Sequence, residues 1–386
     1  MRHMLAALVA GAGLLLAAPA ARAGIDSSVD APAADSAAVQ AARAKVAAGE
    51  YAAAIVDLEA YTPRHPADIV AARLLGDLYF RIPNYKSAER VWKGILARNS
   101  DDRATHNRMG SLYAAEDRVA ESIVEFERSL PERAGFEGLV AQHRRQGDLA
   151  AFSEQYRMQV DANPLDAPTV DIYANILRAQ GKFVEAQPYF DRVVTIRPHE
   201  CGPLVNAGNN EIDLGRLDRA ITLLEACLAI DSKNYAALVD AGEAYIERSE
   251  TARAGGYFER ALAVRPAGSE ALVDLGYIAD DKGNWKGAVV DYIRAMIADP
   301  LRSEAYVDLG YDYNEHQLYQ LAEATFLKGL SISPDDGTLH YLLAVTYNLQ
   351  GKLVLAREQY QLAIASREPR VVRAAQAELD LLPRHT

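Results

Sequence analysis

Four glycines, Gly208, Gly242, Gly276 and Gly310, recur at one constant spacing, and no other feature constrains the fold of this chain so strongly. Glycine is about one residue in fifteen here, so three such successors arise by chance about once in several thousand trials. Ala186, Ala220, Ala254, Ala288, Ala322 and Ala356 repeat at the same spacing. Four residues after each stands a large apolar or aromatic side chain: Phe190, Leu224, Phe258, Tyr292, Phe326 and Tyr360. Pro198, Pro266, Pro300 and Pro334 form a fourth column, with Ser232 in its gap. Gly181, Gly215, Gly283 and Gly351 mark a fifth.

Each column has a physical reading. A small residue on a first helix lets a second helix approach, the alanine supplies the matching surface, and the aromatic fills the space beside them. The intervening glycine permits the chain reversal. The proline lacks an N–H and stops the second helix. The unit is a helix hairpin with an apolar face that it cannot bury alone, so the array is stable only collectively. A chain of 386 residues exceeds what one core organises, and a stack of hairpins accommodates it. With 50% hydrophobic and 24% charged residues, the chain is neither disordered nor a membrane bundle.

This pattern resembles the tetratricopeptide repeat family, whose helix-hairpin unit has the same period as these columns. The clearest copies are residues 201–234, 235–268, 269–302 and 303–336. In 269–302, Leu272, Leu275 and Gly276 match the first helix, and Trp285, Ala288, Tyr292, Ala295 and Pro300 the second. Residues 167–200 and 337–370 fit with Ala174 and Ala344 at the small position. The earlier chain is more divergent: Gly76 and Gly110 with Tyr79 and Tyr113 keep the spacing, and Trp92 and Phe126 keep the aromatic column. Between Arg103 and Arg133 the register is four residues short, which predicts a tightened turn near Leu130–Pro131 with a local change of superhelical path; a hinge between two sub-arrays is the alternative. The resemblance implies an all-α, right-handed superhelical solenoid over about 335 residues. It divides into about four divergent repeats at 35–166 and six regular ones at 167–370. Residues 371–386 read as a capping helix and tail, with Val371, Ala374, Ala375, Leu379 and Leu382 on one face; a docking helix for another protein is the alternative.

Residues 1–23 read as a secretory signal peptide: Arg2 and His3, an uncharged apolar run from Met4 to Ala18, then Ala21-Arg22-Ala23 before Gly24. The run is short for a membrane span, although an uncleaved anchor is the alternative. Residues 24–34 form a flexible lead-in. The expectation is a periplasmic or secreted protein, cleaved near Ala23–Gly24, with no transmembrane segment in the mature chain.

Chemistry is sparse. The eight histidines include no helical metal pair, and several lie near helix starts or turns, where an exposed histidine is ordinary. Asp280, Lys282 and Asn284 suggest a calcium loop only briefly, since no glutamate closes it. No phosphate-binding loop or nucleophile elbow is present. The expectation is therefore no catalytic residue, no metal and no cofactor. A repeat-based hydrolase or transferase has no constellation to support it. The net charge of −12, without a basic block, argues against nucleic acid. Cys201 opens a first helix and Cys227 lies near the end of the second helix of the same unit. An oxidising compartment permits a bridge between them, and two buried thiols are the alternative.

In the family, first helices line the concave face. Carried over by position, the groove holds Asn209, Asp213, Glu243, Glu247, Tyr277, Asp280, Asp281, Glu304, Tyr311, Asn314, Glu315, Tyr341 and Asn348. Tyrosines give rigid contact area, asparagines can bond an extended backbone, and the acids favour a basic ligand. The lysines and arginines with which some members clamp a C-terminal carboxylate are absent from these positions. Arg73, Asp77 and Arg81 make the N-terminal groove more mixed. The resemblance implies a non-enzymatic scaffold of the bacterial cell envelope that binds a basic or extended segment of a protein partner. The alternative partner is cell-envelope glycan machinery, as a component of exopolysaccharide assembly or export.

Overall fold

The computed structural model describes residues 36–300, 302–366 and 369–383, so the signal-peptide and lead-in expectations lie outside the described residues. Every regular element among them is an α-helix. Helices α1 (Ala37–Ala47) and α2 (Tyr51–Tyr61) are followed by α3 (Ile69–Arg81), α4 (Tyr85–Leu96), α5 (Arg103–Ala115), α6 (Val119–Arg128), α7 (Arg133–Gln146) and α8 (Leu149–Ala162). Then come α9 (Ala167–Ala179), α10 (Phe183–Ile196), α11 (Cys201–Asp213), α12 (Leu217–Ile230), α13 (Tyr235–Glu247) and α14 (Thr251–Val264). The last are α15 (Ser269–Asp281), α16 (Trp285–Ala298), α17 (Glu304–Glu315), α18 (Tyr319–Ile332), α19 (Gly337–Leu349), α20 (Leu353–Ala365) and α21 (Pro369–Leu381). Described residues fall into two compact units, one of Gln40–Ala54 with Ala267–Thr386, the other of Ile55–Pro266 with the residues up to Val39. Both are built from stacked helix hairpins.

Local chemistry sets the boundaries. Asp68, Asp102, Asn234 and Asp336 each stand one residue before a first helix, and each side chain accepts from the backbone N–H three residues on, at 2.9–3.0 Å. Between the helices the chain turns through the left-handed region, at Gly147, Gly181, Gly215, Gly283 and Gly351 with φ of 70–78°. Ser249 and Gln317 occupy the same column without glycine, at φ 62° and 60°.

Within each hairpin the small and large columns meet as their chemistry requires. The six column alanines are fully buried, as are Phe190, Leu224, Phe258, Phe326 and Tyr360. A methyl group on Gly310 would stand 2.4 Å from the Phe326 ring, and one on Gly276 2.5 Å from Tyr292, so the glycine is what lets the aromatic lie against the first helix.

Leu130–Pro131, a cis peptide, lies in the connection 129–132, which has the same four residues as 163–166, 197–200 and 231–234. The turn is therefore not tightened by deletion. The four missing residues come out of α6, ten residues long against fourteen in α10, α12 and α14. Four residues are about one helical turn, so the second helix is shorter by about a turn. Gly110 and Gly138 both press on Phe126, where an added methyl would come within 2.7 and 2.5 Å of its ring.

His106 and His340 are buried rather than exposed. Each stands fourth in its first helix with Nε2 against the carbonyl oxygen six residues earlier, Ser100 at 2.7 Å and Pro334 at 2.8 Å. Tyr306, at the equivalent position, donates to the Pro300 carbonyl at 3.0 Å. A polar ring at this position ties the preceding loop to the hairpin.

Helix α21 packs on α20, with Val371, Ala375 and Leu382 buried in a cluster that includes Tyr360 and Ala363. Ala374 and Leu379 are partly buried, and Leu381 is left exposed.

Candidate functional site

Among the described residues, no group of three or more His, Cys, Asp or Glu is arranged to hold a metal ion, and no helix is long and apolar enough to cross a membrane. The remaining question is which first-helix side chains are engaged inside the fold and which face outward.

In the unit of residues 55–266, many first-helix charges are spent between neighbouring hairpins. Arg73 pairs with the buried Asp102, and Arg108 reaches Asp77 through Nε at 2.6 Å and Nη2 at 3.1 Å. Asp213 is not an open acidic position: Arg178 donates from Nε to Oδ2 at 2.6 Å, and both side chains are only 6% exposed. This pair lies beside a cavity of about 230 Å³ also lined by Phe136, Glu137 and Asn175. Asn209 is buried at 1% exposure, with neither side-chain amide atom hydrogen-bonded. Glu243 is partly buried and Glu247 exposed, both on α13. Glu211, which the sequence did not single out, is fully buried against Arg219 at 3.0 Å and Arg216 at 3.5 Å.

The same unit holds both cysteines. Cys201 and Cys227 are joined as a disulfide across one hairpin, with Cα atoms 4.6 Å apart.

The unit containing residues 267–386 is different. Glu304, Asp308, Asp312 and Glu315 lie on α17, and the neighbouring first helix α15 ends in Asp280 and Asp281. Arg302, just before α17, is held by Glu270 at 2.7 Å and Asp299 at 3.5 Å. Tyr277 is 41% exposed, while Tyr311, Tyr341 and Asn348 are partly buried. Asn314 is buried and donates from Nδ2 to Thr346 Oγ1 on α19 at 2.8 Å, so its amide is a structural tie between adjacent first helices. Burial first, then the Glu315 carboxylate, pushes the Tyr311 hydroxyl pKa well above normal. Burial first, then Glu304 and Asp312, pushes the Asp308 carboxyl up to about 8. Burial first, then Asp280 and Glu315, pushes Asp312 up to about 7. Asp308 and Asp312 were not among the positions inferred from the family groove. The signal was nonetheless in the sequence: Ile278 stands one repeat before Asp312 and Thr346 one repeat after it, so a carboxylate there is not a demand of the repeat.

The tetratricopeptide repeat model matches residues 205–263, 239–302 and 307–371. Tetratricopeptide repeats are thus matched at residues 205–302 and 307–371. Similar solved structures include the APC/C hetero-tetramer Cut9–Hcn1, at 16% identity and a TM-score of 0.50, over 81% of this chain and 64% of that one. The chain thus spans less than two thirds of that relative. A tetratricopeptide repeat protein from Parabacteroides merdae is similar at 19% identity and a TM-score of 0.51, over 62% of this chain and 97% of that one. At these identities the likeness shows the fold. A search of curated proteins returns no match. The repeat is a scaffold for protein–protein interaction, typical of non-catalytic proteins.

Proposed function

We propose that this tetratricopeptide protein is an exported scaffold that captures a basic, extended segment of a partner protein on the first-helix face of residues 267–386. One observation carries the reading. First-helix charges at 73–108 and 178–213 are neutralised by neighbouring hairpins, whereas those of α15 and α17 include carboxylates facing carboxylates. Tyr277 and Tyr311 interleave with them and supply rigid contact area beside the charge. The cell-envelope location rests on the leader-like residues 1–23, and the Cys201–Cys227 bridge is in keeping with an oxidising compartment.

The test uses the chain from Gly24 onward and a labelled ten-residue peptide rich in arginine and lysine, followed by fluorescence anisotropy. Binding is expected to weaken at least tenfold in the variant Asp280→Lys, Asp281→Lys, Glu315→Lys, with helicity unchanged by circular dichroism. Equal binding by wild type and variant, or preference for an acidic peptide, contradicts the proposal. Binding to polyanion-free, amine-bearing glycan oligomers in place of the peptide would transfer the same surface to the glycan partner.

A further inference from the structure

The seam between α15 and α17 brings two carboxyl groups together where other repeats bring neutral ones. Counting along the repeat unit, the positions of Asp280 and Asp312 are taken one repeat later by Asn314 and Thr346, which hydrogen-bond at 2.8 Å. Three repeats earlier on the same count, Asn210 takes the place of Asp312; two repeats earlier, Ala244 does. The repeat therefore accepts apolar or neutral polar side chains at this seam, and the acid pair answers to something else.

Asp312 is 2% exposed, and its Oδ2 has no hydrogen-bond partner. The Asp280 carboxyl lies close enough to raise the Asp312 pKa, as the equivalent pair one repeat later, Asn314 and Thr346, meets at 2.8 Å. The neighbours add negative charge. From α17 itself come Glu304, Asp308 and Glu315. From α15 comes Asp274 beside Asp280, and from α16 the Tyr292 hydroxyl, on which Asp274, Asp280, Asp308 and Asp312 act. Helix α19, packed on the other side, contributes no carboxylate, lysine or arginine. A buried, unpaired charge is strongly unfavourable, and a polar group without a partner costs its full desolvation. Near neutrality protons relieve that cost, and a cation set between the two carboxyl groups relieves it in their place.

We infer that Asp280 and Asp312 form a pocket for the guanidinium of an arginine in the partner's segment, with Asp308 drawing the cation in and Tyr277 flanking the way. The planar fork of a guanidinium matches two carboxylates set side by side, where an ammonium offers a point charge. This pocket rests on the reading of the 267–386 face as the binding surface. Its consequence is a coupled proton. In the free protein the raised carboxyl pKa values, about 7 at Asp312 and about 8 at Asp308, keep protons on the seam near neutrality. The arriving cation favours the ionised pair, and the protons leave to the buffer. Affinity therefore rises with pH between about 6 and 8, by up to about tenfold per pH unit for each proton released. The free protein shows the opposite trend. A carboxyl with a raised folded-state pKa contributes its stability fully below its unfolded value, and that contribution is lost as pH rises through the folded value.

The experiment is calorimetric titration of the chain from Gly24 with an acetylated, amidated peptide of alternating glycine and arginine, and with the same peptide carrying citrulline for arginine. Titrations run at pH 6, 7 and 8 in phosphate and in Tris, whose different ionisation enthalpies reveal protons released. The inference expects proton release, affinity rising with pH, and at least a tenfold loss for citrulline. Asp312→Asn and Asp280→Asn should each lose binding at least tenfold along with the proton release, yet melt at or above the wild-type temperature at pH 8. If both variants bind the arginine peptide within twofold of wild type, the pocket is refuted while the binding face stands. If the wild type binds neither peptide, the binding face is refuted and the pocket with it.

Discussion

At the scale of single residues, the repeat asks for a backbone conformation before it asks for a side chain. The turn column adopts φ near 70° whether it holds Gly215 or Ser249. A left-handed residue with a Cβ costs roughly 1 kcal/mol over glycine. Ser249→Gly should therefore raise stability by about 1 kcal/mol, and Gly215→Ala should lower it by about as much, since nothing lies within 4 Å of the added methyl. Urea unfolding with an unchanged m-value checks both. A shift of Gly215→Ala toward higher stability would show that the turn is not held in this conformation. The column was legible because glycine is visible as a letter; its occupation by Ser249 and Gln317 was not, because a serine or glutamine carries no sign that it is left-handed.

At the scale of elements, what decides the candidate site is which charges are consumed between hairpins. Arg178 and Asp213 come from adjacent first helices and are buried together. Removing one partner of such a pair leaves an uncompensated charge and costs about 3–5 kcal/mol, whereas replacing both with apolar residues is close to neutral. Arg178→Met should destabilise the protein by about 3 kcal/mol, and Arg178→Met with Asp213→Leu should recover most of it, as read by thermal or urea unfolding. Equal destabilisation by the single and double variants would contradict the pairing. The position of Asp213 in the repeat unit points into the groove in the family. Position gives the face of a helix, but whether the preceding repeat supplies an arginine within reach depends on two rotamers and a helix–helix distance. The same limit hid Asp312. Its column offered Ile278 and Thr346 at the equivalent places, and only the packed seam shows that it meets Asp280. The lost turn of α6 is a third case: the four-residue deficit was countable, but helix and turn are equally able to absorb it until both are built.

At the scale of the whole molecule, architecture was largely written in the spacing, because stacked hairpins make the same contacts once per repeat and each contact leaves a column. Function was not written in this way. A repeat array gives many partners the same scaffold, and what distinguishes this one is confined to a few substitutions within the columns. The account turns on one of them, the collection of carboxylates on α15 and α17. The most direct measurement is hydrogen exchange by mass spectrometry of the chain from Gly24, with and without the arginine-bearing peptide. The account predicts that protection on binding concentrates in residues 269–281 and 304–315, the segments of α15 and α17. Protection confined to the second helices α16 and α18, or to residues 55–266, would contradict it.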